Sequence, residues 1–174
     1  MLSEQQLKKL QKIRLLVMDV DGTLTDGAMY YTEQGEFMKR FSTRDGMGIT
    51  LLRRSGIDSA ILTSENSIIA VRRAEKLGIK TIVLGSRNKM QSFADLAAKL
   101  TIPLDHIAYI GDDINDLPCF SMAGFAACPS DSVQHILDAA DYICSKPGGH
   151  GAVRELCELI LVAQDKPIVL PENW

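Results

Sequence analysis

An α/β architecture, a doubly wound and mainly parallel sheet with helices on both faces, is predicted by three features of the sequence. Short continuous apolar runs recur along the chain, helix-patterned segments lie between them, and several runs end in acids or hydroxyls. A continuous run marks a strand covered on both faces. Alternation of such strands with helices calls for right-handed crossovers and hence parallel pairing.

The first run, 15–20, ends in the acids of Asp19-Val20-Asp21. Further runs at 57–63, 80–84, 107–111, 125–129 and 142–145 are each bounded by turn or charge signals, as strands are. The opening MLSEQQLKKLQKI reads as a short helix with Ser3 and Gln6 as a capping box. Asp45 is the expected cap of a helix that runs through Arg54 and stops at Gly56. Asn66 is the expected cap of one through Leu77 that stops at Gly78. Helical spacing continues over 88–100 and 131–139. The final helix, 152–164, carries Val153, Leu156, Cys157, Ile160 and Leu161 on one stripe.

Segment 28–41 breaks the alternation. AMYYT and FMKRF flank the polar turn Glu33-Gln34-Gly35-Glu36, which predicts a β-hairpin outside the main sheet. Its Tyr30, Tyr31, Phe37 and Phe41 would leave an apolar face that a lone hairpin cannot stabilise, so the hairpin is expected to join subunits.

At 174 residues, with 46% hydrophobic and 24% charged residues, the chain fits one globular domain spanning 1–174. A net charge of -3 without a basic block argues against nucleic acid. No apolar run approaches the roughly 20 residues that cross a bilayer. The charged opening lacks an apolar signal core, and cytoplasmic residence is the expectation. Cys119, Cys128, Cys144 and Cys157 lack CxxC spacing and are expected to be small buried hydrophobes.

In an open α/β sheet, ligands bind beyond the carboxyl ends of the strands. Four such ends carry reactive groups: Asp19 and Asp21, Thr63 and Ser64, the loop before Lys89, and Asp112, Asp113 and Asp116. Phosphoryl transfer accounts for all four. An aspartate nucleophile, Asp19, divides ester hydrolysis into two displacements, and Asp21 protonates the leaving alkoxide and then deprotonates water. Converging carboxylates require a hard cation with oxygen ligands, which suits magnesium (Mg²⁺) on Asp19, Asp21 and Asp112. Lys89 would neutralise the transferring group while Thr63 holds its oxygens. Gly22 lets the chain turn after Asp21, and Gly111 gives room before the acidic loop.

DVDGT, LTS, NK and GDDIND, in that order, resemble the four motifs of the haloacid dehalogenase superfamily, over nearly the whole chain. The resemblance implies a Rossmann-like fold and a phosphatase. It implies Asp19 as nucleophile and metal ligand, Asp21 as acid/base, and the Val20 carbonyl near the metal. Thr63 and Lys89 would be phosphate contacts and Asp112 a metal ligand, with Asp113 and Asp116 steadying the metal shell. Neither interval between motifs has room for a cap domain, so the substrate is a macromolecule or another subunit closes the site.

TDG at 25–27, the hairpin, TRDGMGI at 43–49 and GGHGAVRE at 148–155 resemble a capless tetrameric subgroup acting on 2-keto-3-deoxy sugar-acid phosphates of eight or nine carbons. Where the octulosonate (KDO-8-phosphate) branch usually has an arginine, this chain has Glu65 after Thr63 and Ser64. Glu65, Arg73 and Lys76 match positions that the nine-carbon branch uses for recognition, with Arg73 and Lys76 on one helix face. Arg44 and Arg154 are further candidates for the sugar carboxylate. Two other readings are a capless protein phosphatase and a phospho-aspartate signalling module. Receiver domains, however, place the acid pair on the first strand and the phosphorylated aspartate later, whereas here DVD comes first and DD last.

Overall fold

The computed structural model describes residues 2–170. In chain order the elements are α1 (Glu4–Leu10), β1 (Leu15–Met18), β2 (Tyr30–Thr32), β3 (Gly35–Met38), α2 (Thr43–Arg54), β4 (Asp58–Leu62), α3 (Ile68–Leu77) and β5 (Thr81–Val83). There follow α4 (Lys89–Leu100), β6 (Ile107–Ile110), α5 (Leu117–Met122), β7 (Phe125–Cys128), α6 (Gln134–Ala139), β8 (Tyr142–Ile143) and α7 (Ala152–Ala163).

Six strands form one sheet in the order β5-β4-β1-β6-β7-β8, every pair parallel. The doubly wound prediction holds. β1 is central: Leu15 pairs with Asp58 and Ile107, and Met18 with Ile61 and Ile110. Its side chains alternate between two cores, since successive strand residues face opposite ways. Leu16 and Met18 join the core under α2 and α7, while Leu15 and Val17 pack with Phe93 of α4 and Phe120 of α5. Burial on both faces explains why this strand reads as an unbroken apolar run. The chain winds outward in both directions from β1, so a crevice opens at the carboxyl ends of β1 and β6.

The helix ends correct two expected caps. Ser42, not Asp45, caps α2, its hydroxyl accepting from the Arg44 and Asp45 N–H groups. Asp45 lies inside the first turn, buried, and its carboxylate accepts from the N–H of Gly151 (3.3 Å) and of Arg154 (2.8 Å). It therefore caps α7, whose own N-cap is a glycine with no side chain to offer. Likewise Ser67 rather than Asn66 caps α3. The capping box of Ser3 and Gln6 is present as expected, and Asn88 caps α4, its side chain accepting from the Gln91 N–H. α6 starts three residues later than the pattern suggested, and α5 was not anticipated. Pro118 interrupts the pattern there, yet it stands in the first turn, where a missing N–H costs nothing.

β2 and β3 form a separate antiparallel pair, fastened at its base by a bridge between Thr25 and Phe41. Tyr31 and Phe37 are 62% and 67% exposed, in line with an uncovered apolar face. Phe41 departs from that expectation. It is half-buried against the core, with the Arg73 guanidinium 5.6 Å above its ring. All four cysteines are buried and unpaired, and no described helix is long and apolar enough to cross a membrane.

Because Asp45 satisfies two N–H groups of another helix, Asp45→Ala should lower unfolding free energy by about 1–3 kcal/mol, the cost of orphaned buried donors. Asp45→Asn, which keeps one acceptor oxygen, should lose less. Urea melts of the three proteins check this, and an unchanged midpoint for the alanine variant would remove the cross-helix cap.

Candidate active site

Three loops converge at the carboxyl end of the sheet. Asp19 leaves β1 with its N–H donated to the Ile110 carbonyl at 3.0 Å, so the β1/β6 pairing sets where its side chain starts. Gly22 has φ +81°, and a Cβ there would lie 2.0 Å from Asp112 Oδ2; any side chain would part the two acidic loops. At Gly111 a Cβ would lie 2.4 Å from the Asp116 carboxylate. The turn and the room expected of these glycines thus serve to bring acids together.

Asp116 organises the cluster. It is fully buried, and its Oδ1 accepts from the Lys89 ammonium (2.5 Å) and the Tyr109 hydroxyl (2.5 Å). Its Oδ2 accepts from the N–H groups of Asp112 (3.1 Å) and Asp113 (3.4 Å), which shapes the acidic loop. Lys89, buried at the start of α4, also donates to Asp19 Oδ1 at 2.8 Å. Asp112 accepts from the Thr23 hydroxyl at 3.0 Å. Thr63 is buried just past β4, its hydroxyl accepting from the Glu65 N–H at 3.2 Å, and Asn115 donates to Ser64 Oγ at 3.1 Å.

Asp19, Asp21, Thr63, Ser64, Glu65 and Asp112 all line one pocket of about 170 Å³. A larger cavity of about 250 Å³ lies between Leu15, Ile79 and Leu100. None of the clustered carboxylates borders it, so the chemistry assigns the smaller pocket as the site.

The profile of the haloacid dehalogenase-like hydrolase family matches residues 61–156. The 3-deoxy-D-manno-octulosonate 8-phosphate phosphatase KdsC of Escherichia coli K12 is 40% identical over 164 residues, which cover 94% of this chain and 87% of the relative. This chain belongs to the haloacid dehalogenase-like hydrolases. Solved structures of the family agree. The Yersinia pestis octulosonate 8-phosphate phosphatase superposes with TM-score 0.91 at 40% identity, over 94% of this chain and 88% of that one. The Moraxella catarrhalis enzyme, solved with magnesium, phosphate and KDO, gives TM-score 0.90 at 43% identity over 92% of each chain. The sequence reading of a phosphoric monoester hydrolase agrees with these relatives.

Charge balance tests whether the haloacid dehalogenase-like centre suits a metal. Carboxylate oxygens of Asp19, Asp112 and Asp116 lie within 4.8 Å of one another, with one ammonium, Lys89, among them. Burial pushes Asp19 up to about 7, with the Asp116 charge adding to the rise and Lys89 opposing it. Burial, then Asp19 and Asp116, push Asp112 up to about 8. Burial alone would pull Lys89 down, but the two aspartates together outweigh it and hold the ammonium above its ordinary value. The excess negative charge and the all-oxygen donor set fit a hard divalent cation such as magnesium. Asp116 already accepts four hydrogen bonds, which leaves Asp19 and Asp112 as the cluster's available ligands.

Asp21 stands apart from that cluster. Its Oδ1 accepts from Lys39 at 2.5 Å, while its Oδ2 is buried without a hydrogen-bond partner. Burial would depress the Lys39 ammonium, but its contacts with Asp21 and Glu36 raise it. The Val20 carbonyl, expected near the metal, instead accepts from the Thr23 and Thr25 N–H groups and the Thr25 hydroxyl, so its lone pairs are spent in the turn.

The four cations proposed for the sugar do not line the pocket. Arg73 donates to the Ser42 carbonyl at 2.9 Å, Lys76 is exposed, Arg154 pairs with Glu158 at 2.6 Å, and exposed Arg44 borders a separate hollow with His150. Sequence reading missed Lys39 and Tyr109. Lys39 falls in a hairpin pattern where a lysine counts as an outward residue, and Tyr109 in a buried strand where an aromatic is ordinary. The one available signal, Glu36 three residues before Lys39, is too common to single out.

Magnesium at a hundred times its Kd should raise unfolding free energy by about 2.7 kcal/mol, the linkage expected for one site on the native state. Asp112→Asn should abolish that gain without lowering the metal-free melting temperature, since the carboxylate it removes is a repelled one. Thermal melts with and without magnesium check this. An equal magnesium-induced gain in both proteins would exclude Asp112 as a ligand.

Proposed function

We propose that this protein is a phosphatase working through a phospho-aspartate on Asp19, and that its substrate is a 2-keto-3-deoxy sugar acid with phosphate on its terminal carbon. The observation carrying the mechanism is the Asp19 carboxylate gripped by Lys89 at the pocket wall, with Asp21 and Asp112 on the same pocket. The named substrates of the relatives support the substrate class.

Asp19 attacks phosphorus, the ester P–O bond breaks, and Asp21 protonates the departing alkoxide through Oδ2. Water then attacks the acyl phosphate, Asp21 takes its proton, and Asp19 is regenerated as inorganic phosphate leaves. Such acid/base assistance is worth about 10²–10⁴-fold. Lys89 offsets charge on Asp19 and the transferring group, and the Thr63 hydroxyl and nearby N–H groups hold the phosphoryl oxygens. Magnesium, held by Asp19 and Asp112, supplies positive charge to the phosphate when bound.

The nine-carbon esters are favoured over octulosonate 8-phosphate by Glu65, which lines the pocket where the octulosonate branch usually has an arginine. At about 170 Å³ the pocket is smaller than the roughly 300–1,000 Å³ of sites that enclose a small ligand. A neighbouring subunit of a homotetramer, docked through the hairpin, supplies the missing wall and the cations Arg73, Lys76, Arg44 or Arg154. The protein works in the cytoplasm as a single domain over 1–174.

A panel of nine-carbon 9-phosphates, octulosonate 8-phosphate, hexose phosphates and a phosphopeptide, compared by kcat/KM with magnesium, tests the reading. A keto-deoxy sugar acid should lead by at least about tenfold, or 1.4 kcal/mol, and Asp19→Asn should be inactive on all. Preference for the phosphopeptide would replace the proposal with a capless protein phosphatase. Single phosphorylation without turnover would replace it with a signalling module.

Charged residues in place of Tyr31 and Phe37 should dissociate the oligomer by placing unpaired charge in the interface. Turnover of the sugar acid should fall with it, while an aryl phosphate, which needs no remote contacts, should lose much less. Sedimentation and kinetics on both substrates decide. A monomer with undiminished sugar-acid kcat/KM would rule out the shared site.

A further inference from the structure

The inner side of the hairpin carries a buried chain of charge. Lys39, just past β3, has its side chain wholly buried and donates to Asp21 Oδ1 at 2.5 Å and to Glu36 Oε1 at 2.7 Å. The other Glu36 oxygen accepts from the Ser67 hydroxyl, and that hydroxyl in turn accepts from the Ala70 N–H at the start of α3. A buried lysine with one partner is costly, and two carboxylates with further hydrogen bonds offset the desolvation. The strut therefore joins the hairpin, the loop after β1 and the N-terminus of α3.

One end of this strut is a pocket residue. Asp21 lines the pocket, and with Oδ1 held by Lys39 its Oδ2 is left buried and unpartnered. We propose that Lys39 is a positioning residue for the reaction: by clamping Oδ1 it fixes the rotamer of Asp21, so that Oδ2 alone serves the leaving oxygen and then the attacking water. This rests on the phosphatase reading. An aspartate without the clamp can turn about two side-chain torsions, and a misplacement of 1 Å at a reacting group costs on the order of 10²-fold. The residue reaches the chemistry only through Asp21, which separates this role from a strut that merely supports the fold.

A double-mutant cycle on the magnesium-loaded enzyme tests it. Lys39→Met should lower kcat about 10–100-fold with KM changed less than about twofold, because phosphate binding belongs to other groups. In the Asp21→Asn background the same substitution should cost less than about twofold more, since there is no acid left to position. Losses that multiply would show a structural role and overturn the proposal, as would an unchanged kcat in the single variant. Lys39→Met with Glu36→Gln also removes the Glu36 charge that the single substitution would strand, so that Asp21 is the only carboxylate of the strut to lose its partner. It replaces the single variant throughout the cycle if that one fails to fold, with the same two outcomes deciding. A wild-type protein inactive on every phosphate ester would refute the phosphatase reading itself. An active wild type with an indifferent Lys39 would refute only the clamp.

Discussion

Everything at the catalytic end of this protein depends on countercharge. At an effective dielectric of about 20, two like charges 4 Å apart repel by about 4 kcal/mol, so carboxylates cannot be gathered without something to hold them. Lys89 answers part of that need by pairing with Asp19 and Asp116 together. Tyr109 and two backbone N–H groups complete the coordination of Asp116, so one buried acid carries no unmet hydrogen-bonding demand. What is left over is the excess negative charge on Asp19 and Asp112, and that remainder suits the centre to a divalent cation.

The rest of the architecture serves this convergence. Parallel strands deliver Asp19, Thr63 and the acidic loop to the same end of the sheet, and β1 and β6, paired residue for residue, hold the first and last motifs side by side. Glycines stand where the loops come closest. At Gly22 the backbone of one acidic loop touches the side chain of the other, an approach that no residue with a Cβ allows. Asp45 performs the equivalent task away from the site, binding the start of α7 to α2 through two N–H groups and so securing the core that backs β1.

The hairpin carries two kinds of side chain with different physics. Outward it shows Tyr31 and Phe37 to solvent, an apolar area that a two-stranded unit cannot bury by itself. Inward it places Lys39 against Asp21 and Glu36 against Ser67. The exposed aromatics and the cation that holds Asp21 therefore share one small element, so a displacement of the hairpin carries Lys39, and with it the Asp21 contact, along.

Periodicity and local chemistry made much of this protein legible in advance. Strands buried on both faces must be apolar throughout, so the run over 15–20 declared itself, and so did the parallel pairing of the sheet, though not its strand order. Asp19, Thr63, Lys89 and Asp112 were visible because each follows such a strand or opens a helix. Helix caps were less legible: Ser42 and Asp45 are both able to cap, and only the packing of α7 against α2 decides that Asp45 turns to Gly151 and Arg154. Lys39 and Tyr109 were hidden for the same reason. A lysine in a hairpin and a tyrosine in a strand acquire their partners from segments 18 and 7 residues distant along the chain. Pairing of that kind depends on where the backbone places the charges, and local pattern holds no record of it.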